Sequence, residues 1–202
     1  MSDNTDSSIS PFSYWVAEGK IAAGEYPGNQ FSLKPTTLIA TTVHSIIALL
    51  KTRCRFWNTP SKKINNLLGS GISTFIDLTV LGERPNYGFV IHAERRRRSI
   101  RTNYFRFPIV DRNIPEIHLM KAILDLIDNE IHQGRIVYIH CFRGLGRTGT
   151  VVGCYLVRQG MNGDDALKKL ISLRKGVAGA FRESPETDVQ KQFVLDWSKH
   201  DS

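Results

Sequence analysis

The apolar positions of the chain change period several times, and each change predicts an element. Tyr14-Trp15-Val16 and Ile21-Ala22-Ala23 flank the turn residues Glu18-Gly19-Lys20, which predicts a hairpin or edge pair between Phe12 and Pro27. Thr74 to Leu78, Tyr104 to Phe107 and Arg135 to Ile139 are short runs of apolar, β-branched and aromatic residues, the second stopping at Pro108, and predict three strands. Ile117, Met120, Ile123, Leu124, Ile127 and Ile131 recur at helical spacing, with Gly134 where a helix should end. Helices are also predicted over Arg147 to Gln159, closed by Gly160, over Asp164 to Leu173, and over Pro185 to Lys199. The last would open with Ser184 as N-cap and Pro185 in the first turn. A weaker helical pattern covers Leu38 to Leu50, and Lys51 to Lys63 reads as a basic loop broken by Pro60. Strands alternating with helices give an α/β fold, a central, mainly parallel sheet flanked by helices.

Met1 to Pro11 is polar and reads as a flexible leader, leaving 12–202 as one domain. With 41% hydrophobic residues in 202, the chain is long and apolar enough to bury a core, which excludes wholesale disorder. Three cysteines, Cys54, Cys141 and Cys154, are too few to staple such a fold. No apolar run reaches the roughly 18 residues of a membrane span, and the first ten residues lack a secretory pattern, so the cytoplasm is the expected location. Twenty-seven Lys and Arg against 19 Asp and Glu give a net charge of +8, which points to an anionic partner without choosing one.

The chemistry lies in His140-Cys141-Phe142-Arg143-Gly144-Leu145-Gly146-Arg147-Thr148-Gly149-Thr150, between the third apolar run and a helix. A loop at the C-terminal end of a parallel strand is where open α/β sheets bind ligands. Backbone N–H groups bent round a concavity, together with a helix N-terminus, make an anion site. The glycines let the backbone approach a phosphate, Arg147 offers a planar fork of donors, and Cys141 supplies a nucleophile facing the gripped phosphate. Gly144 to Gly149 also fits the G-x-G-x-x-G dinucleotide pattern. That reading needs a strand after the helix, where Asn162-Gly163-Asp164-Asp165 and another helix stand instead.

The segment resembles the cysteine-dependent protein phosphatases, in particular the dual-specificity and related small tyrosine phosphatases with the signature H-C-x5-R-[S/T]. Cys141, Arg147 and Thr148 fall on its three reactive positions. The resemblance extends from about Trp15 to the C-terminus. Softer matches are Gly24 to Gly28, Phe75 to Thr79 and Ser184-Pro185-Glu186-Thr187; about 31–66 departs from the pattern and reads as an insertion. It implies the dual-specificity phosphatase fold and a mobile loop carrying an aspartate upstream of the nucleophile, a place that Asp111 fills in Phe107 to Pro115.

The implied mechanism is in-line attack by Cys141 on a phosphomonoester held by Arg147 and the amides of Phe142, Arg143, Gly144, Leu145 and Gly146, giving a phosphocysteine. Asp111 would protonate the leaving oxygen and then activate water, Thr148 would hydrogen-bond the sulfur, and His140 would support the loop from behind. No cofactor is implied, and the five other histidines show no paired metal-ligand spacing. The expected partners are phosphorylated proteins, phosphotyrosine first and phosphoserine or phosphothreonine after it. The alternatives are a phosphoinositide or RNA 5′-phosphate, suited by Arg143 and the run Arg95 to Arg98, or a non-catalytic phosphate-binding module. Asp77 reads as structural rather than as a second catalytic acid, Glu116 as a first-turn helix carboxylate, Cys154 as core, and Gln190 as a helix-surface residue rather than the group that positions the hydrolytic water, a role a glutamine fills in some members of the family it resembles. Cys54 is a remote candidate for a resolving thiol, and Arg95 to Arg98 is weighed as a solvated charge run against a docking site.

Overall fold

The computed structural model describes residues 9–28 and 62–201. Most of the leader, the Leu38 to Leu50 helix, Cys54 and nearly all of the 31–66 element lie outside those residues.

Five strands form one sheet in the order β1-β2-β5-β3-β4. Here β1 is Ser13–Ala17, β2 Ile21–Gly24, β3 Ile72–Asp77, β4 Asn103–Arg106 and β5 Ile136–His140. The hairpin β1–β2 is antiparallel, and β2–β5, β5–β3 and β3–β4 are all parallel, so the mainly parallel sheet is as the pattern predicts. Strand alternation sorts side chains to two cores. On one face Val137, Ile139 and Ile76 meet helix α3 (Ile117–His132), α4 (Gly146–Arg158), α5 (Gly163–Leu173) and α6 (Asp188–Asp196). On the other, Phe75 and Tyr138 pack with α1 (Lys62–Gly69) and α2 (Gly88–Arg98). Each large side chain so buried contributes about 1.5–3 kcal/mol.

Two of these helices escape the sequence reading. α1 begins in the stretch read as the end of a basic loop and of the 31–66 insertion and continues through residues given no element, burying Ile64, Leu67 and Leu68 on one stripe. α2 ends in Arg95 to Arg98, whose polarity hides a short buried face of Val90, Ile91 and Glu94. The last helix also starts later than expected. Thr187, not Ser184, is its N-cap, in a reciprocal box with Gln190, because the Ser184 hydroxyl donates to the Leu145 carbonyl at 2.9 Å instead of accepting from helix amides. Asp188–Asp196 then gives way to a 3₁₀ turn, Trp197–Lys199. α4 runs into α5 with no strand between, which removes the dinucleotide reading.

Parallel topology also places the basic run. α2 starts beyond the C-terminal end of β3 and returns to the start of β4, so Arg95 to Arg98 lie at the end of the sheet opposite Cys141, about 16 Å along the helix axis. Arg97 and Arg98 both bind the buried Glu94 carboxylate, and Arg98 also reaches Asn65. The expectation that this run and Arg143 would grip one substrate together is therefore corrected.

Candidate active site

The loop 141–146 leaves the buried end of β5, and its carbonyls are tied to surrounding groups. His140 Nδ1 donates to the Cys141 carbonyl at 3.0 Å, the Tyr26 amide to that of Phe142 at 3.0 Å, and the Thr150 hydroxyl to that of Gly146 at 3.0 Å. The Leu145 carbonyl takes the Gly149 amide and Ser184. Gly144 makes the turn at φ 70°, and a Cβ there would lie 2.4 Å from the Gly24 carbonyl, so no other residue fits. With those carbonyls engaged, the amides of Phe142, Arg143, Gly144 and Leu145 find no protein acceptor among the described residues. Unpaired amides at a helix N-terminus form an anion cradle. Cys141 is buried at its base.

Arg147 is 1% exposed and fully committed at its tip. Nη1 and Nη2 donate to the two Glu83 oxygens at 2.7 and 2.6 Å, Nη1 also to the Ile109 carbonyl at 3.0 Å, and Nη2 lies 3.0 Å from Asp111 Oδ1. Only Nε, which is buried, lacks a partner. Burial works against the Arg147 charge, but Glu83, the Cys141 sulfur and Asp111 outweigh it and hold the guanidinium above the ordinary arginine range. Burial likewise raises Glu83, and Arg147 overrides it, keeping that carboxyl below the usual range. Glu83 carries no motif in the sequence; only folding brings it 64 positions back to Arg147.

Asp111 is 54% exposed, on the loop after β4, and its neighbour Arg112 takes φ 61°. That loop is tied to the start of α6: Gln190 Nε2 donates to the Asn113 carbonyl at 3.0 Å and the Thr187 hydroxyl lies 3.5 Å from that of Arg112. Gln190 is thus buried, not a surface residue, because its amide spans two backbone segments. Glu116 stands apart, exposed and paired with His118.

His140 is buried between loop and sheet, and accepts from the Tyr87 hydroxyl at 2.5 Å while donating to Cys141. This bonding assigns the neutral Nδ1–H tautomer. Burial lowers its pKa, opposed by Asp77. Asp77 is itself buried and binds Thr79, Tyr104 and Arg106. Burial would raise its carboxyl, but His140, Thr79 and Tyr104 prevail and hold it low, the structural role expected. The Thr148 hydroxyl is buried without a hydrogen-bond partner, so the expected bond to the sulfur is not formed in this state. Cys154 is core, as expected.

Glu186, which the sequence offers only as a soft match, touches the cradle: Oε2 accepts from the Gly146 amide at 3.1 Å, and Oε1 lies 3.7 Å from Arg143. Among the described residues no group of His, Cys, Asp and Glu is placed to hold a metal ion, and no helix is long and apolar enough to cross a membrane.

A buried cysteine under a ring of unpaired amides, closed by an arginine at the first turn of a helix, defines the class of the dual-specificity and tyrosine phosphatases. Within it, the chain belongs to the family described as polymorphic toxin system, DSP-PTPase phosphatase, which matches residues 53–161. It is 32% identical over 95 residues to the Arabidopsis thaliana phosphatidylinositol 3,4,5-trisphosphate 3-phosphatase and protein-tyrosine-phosphatase PTEN1, covering 46% of this chain and 22% of that one. It is 27% identical over 144 residues to the putative tyrosine phosphatase 197R of Invertebrate iridescent virus 6, covering 69% of this chain and 48% of that protein. The chain therefore spans less than half the length of either relative. The crystal structure of Tk-PTP in its active form superposes with a TM-score of 0.63 at 19% identity, covering 94% of this chain and 97% of that one, which supports the fold.

Proposed function

We propose that the protein hydrolyses phosphomonoesters through a phosphocysteine on Cys141, with phosphotyrosine in proteins as the first substrate and phosphoserine or phosphothreonine after it. The observation that carries this reading is the set of four partnerless amides over Cys141, beside an arginine with one donor left over. A phosphate dianion would accept from the amides and from Arg147 Nε. It would also accept a hydrogen bond from Nη2, the atom that lies 3.0 Å from Asp111, freeing Asp111 to turn toward the leaving oxygen. The Cys141 thiolate attacks phosphorus in line, the P–O bond to the leaving group breaks, and Asp111 gives that oxygen its proton. Asp111 then accepts a proton from the water that attacks the phosphocysteine, releasing inorganic phosphate and the thiolate. Thr148 keeps an unpartnered hydroxyl to offer the departing sulfur, and Gln190 anchors the acid loop. A reduced Cys141 suits a reducing compartment such as the cytoplasm.

Two apolar side chains near the site, Leu81 at 84% exposure and Val110 at 62%, suit an aromatic ring carried on the phosphate. Tyrosine phosphatase activity in the names of both relatives points the same way. A second reading, a multiply anionic ester such as a phosphoinositide, is favoured by Arg143, whose hold on Glu186 is loose. Phosphate release from a phosphotyrosine peptide, with acid quench and mass spectrometry of the Cys141 peptide, tests the reaction. A phosphorylated Cys141 is expected; turnover by Cys141→Ser at a rate near that of the native chain would defeat it.

A further inference from the structure

The charge run on α2 has no part in the reaction above, and the fold accounts for only some of it. Bases in the last turn of a helix complement its dipole. Arg97 and Arg98 also bond the buried Glu94 carboxylate at 2.6 Å each. Arg95 and Arg96 are exposed and find no acceptor among the described residues, and the same holds for Arg101, two positions past the helix cap. Glu130, also buried at this end of the sheet, is taken by Arg135, Thr74 and Asn103. Glu18, in the β1–β2 turn, lies three strands from β4, about 14 Å across the sheet. Like charges one turn apart on a helix repel, so free guanidiniums crowded here are unfavourable unless an anion joins them.

The surroundings select the kind of anion. Between Val90 and Thr102 stands no Phe, Tyr or Trp on which a base could stack. None of the exposed large apolar side chains among the described residues falls in the last two turns of α2 or on the way to β4, so the patch offers no wedge to a membrane. Charge without aromatic or apolar company suits an acidic stretch of polypeptide. A path leads to it from the active site. α2 starts beside the cradle, where the Tyr87 hydroxyl meets His140 at 2.5 Å, and Phe89, His92 and Arg96 recur on its exposed side at helical spacing. A compact anion cannot touch both ends of an axis about 16 Å long, but a polypeptide can. At no more than about 3.5 Å per residue, an extended chain needs at least about five residues for that span.

We propose that Arg95, Arg96 and Arg101 dock an acidic segment of the phosphoprotein substrate, separated by about five to ten residues from the phosphotyrosine that enters the Cys141 cradle. The proposal rests on the reading that the chain hydrolyses phosphotyrosine in proteins, and adds where the rest of such a protein is held. The cations at the mouth are Arg84, 3.4 Å from the Phe142 ring centroid, and Arg143, facing Glu186. They stand where the immediate neighbours of the phosphotyrosine pass. The α2 patch meets a more distant part of the substrate, so it sets KM for proteins and leaves the chemical step alone. Such a second attachment acts through effective concentration, which vanishes when the linker cannot span the two sites.

The test uses the full chain and a phosphotyrosine peptide with neutral flanks, carrying a short block of glutamates after a Gly-Ser linker of about two or about ten residues. At low salt the long linker should lower KM about three- to tenfold against the peptide without glutamates, the yield of a few exposed ion pairs, and the short linker should not. The triple variant Arg95→Gln, Arg96→Gln, Arg101→Gln should erase that gain, with kcat and p-nitrophenyl phosphate turnover unchanged within about twofold. Salt at about 0.5 M should erase it in the native chain. With all three arginines changed to Glu, a lysine block should recover the gain. A gain that survives the triple Gln variant, or appears equally with the short linker, overturns the patch and gives the effect to Arg84 and Arg143. So does binding of duplex DNA or phosphatidylserine vesicles that is tighter than that of the glutamate peptide and lost in the triple variant, which would make this a nucleic-acid or membrane surface. Binding separates docking from the reaction itself. By fluorescence anisotropy, the long-linker peptide with its tyrosine unphosphorylated should bind the native chain and Cys141→Ser alike, and the triple variant at least about threefold more weakly. An unchanged Kd rejects the docking surface whatever the enzyme turns over, whereas that difference without phosphotyrosine turnover defeats the phosphotyrosine reading alone.

Discussion

Arg147 and Glu83 are joined by two parallel hydrogen bonds of 2.7 and 2.6 Å, so the guanidinium that should receive phosphate is already held in place by a carboxylate. The pair is preorganisation: three of the five N–H donors are hydrogen-bonded, Nη2 also lies 3.0 Å from Asp111 Oδ1 as an ion pair, and Nε has no partner. Glu83→Ala should lower kcat/KM by about 10- to 100-fold, the cost of leaving a buried charge short of its partner. Steady-state kinetics would show it mostly in KM, and a variant with native KM would mean that the loop alone orients Arg147.

At the nucleophile, Cys141→Ser should abolish turnover yet retain phosphate-ester binding, because the amides and Arg147 are untouched. Arg147→Lys should lose both, since a point-charge ammonium cannot satisfy Glu83, the Ile109 carbonyl and a phosphate at once. Calorimetric titration with a phosphotyrosine peptide separates the two outcomes.

Asp111→Asn should cost about 10²–10⁴-fold on phosphotyrosine or phosphoserine peptides, the usual span of general acid catalysis, and less on p-nitrophenyl phosphate, whose phenolate departs unaided. Glu116→Gln should show no such split, as its carboxylate is paired with His118 away from Arg147. A Glu116 variant that reproduced the split would move the acid.

Gln190→Ala removes the bond to the Asn113 carbonyl and half of the capping box. It should destabilise the chain by about 1–2 kcal/mol and loosen the acid loop, so that peptide substrates slow more than p-nitrophenyl phosphate. Thermal melts alongside the kinetics would detect both; loss of stability with no substrate split would confine Gln190 to the cap.

Stability should fall with acid in two stages. Burial keeps His140 below its ordinary 6.5, so as pH drops under that value the unfolded chain takes up a proton that the folded one refuses. Asp77, Glu83 and Glu130 are held below their ordinary 3.8, 4.5 and 4.5, so their contributions are complete above those values and vanish as pH falls through the lower folded ones. Melting temperature against pH should be level near 7–8, decline below about 6.5 and drop steeply below about 4. His140→Gln should flatten the upper decline; an unchanged slope would assign it to other groups.

Much of this protein is a local property of its residues. The strands and the helices α3 to α5 follow from apolar periodicity, because one face of each must be buried, and Gly134 and Gly160 end helices at positive φ as their lack of a Cβ allows. Cys141 and Arg147 are legible because a strand, a glycine-bearing turn and a helix start lie together within a dozen positions. α2 is not legible, since four arginines mask a narrow buried stripe. The rest of the site belongs to tertiary structure. Glu83 reaches Arg147 across 64 positions, Glu186 reaches Gly146 across 40, and Arg84 reaches Phe142 across the sheet's C-terminal edge. Parallel strands deliver their connecting loops to one edge however far apart those loops lie in the chain, and at such separations neither periodicity nor motif registers which side chains will meet. The same topology carries Arg95 to Arg98 to the opposite end, so a charge run that looked like part of the site is excluded from it by the direction in which its helix runs.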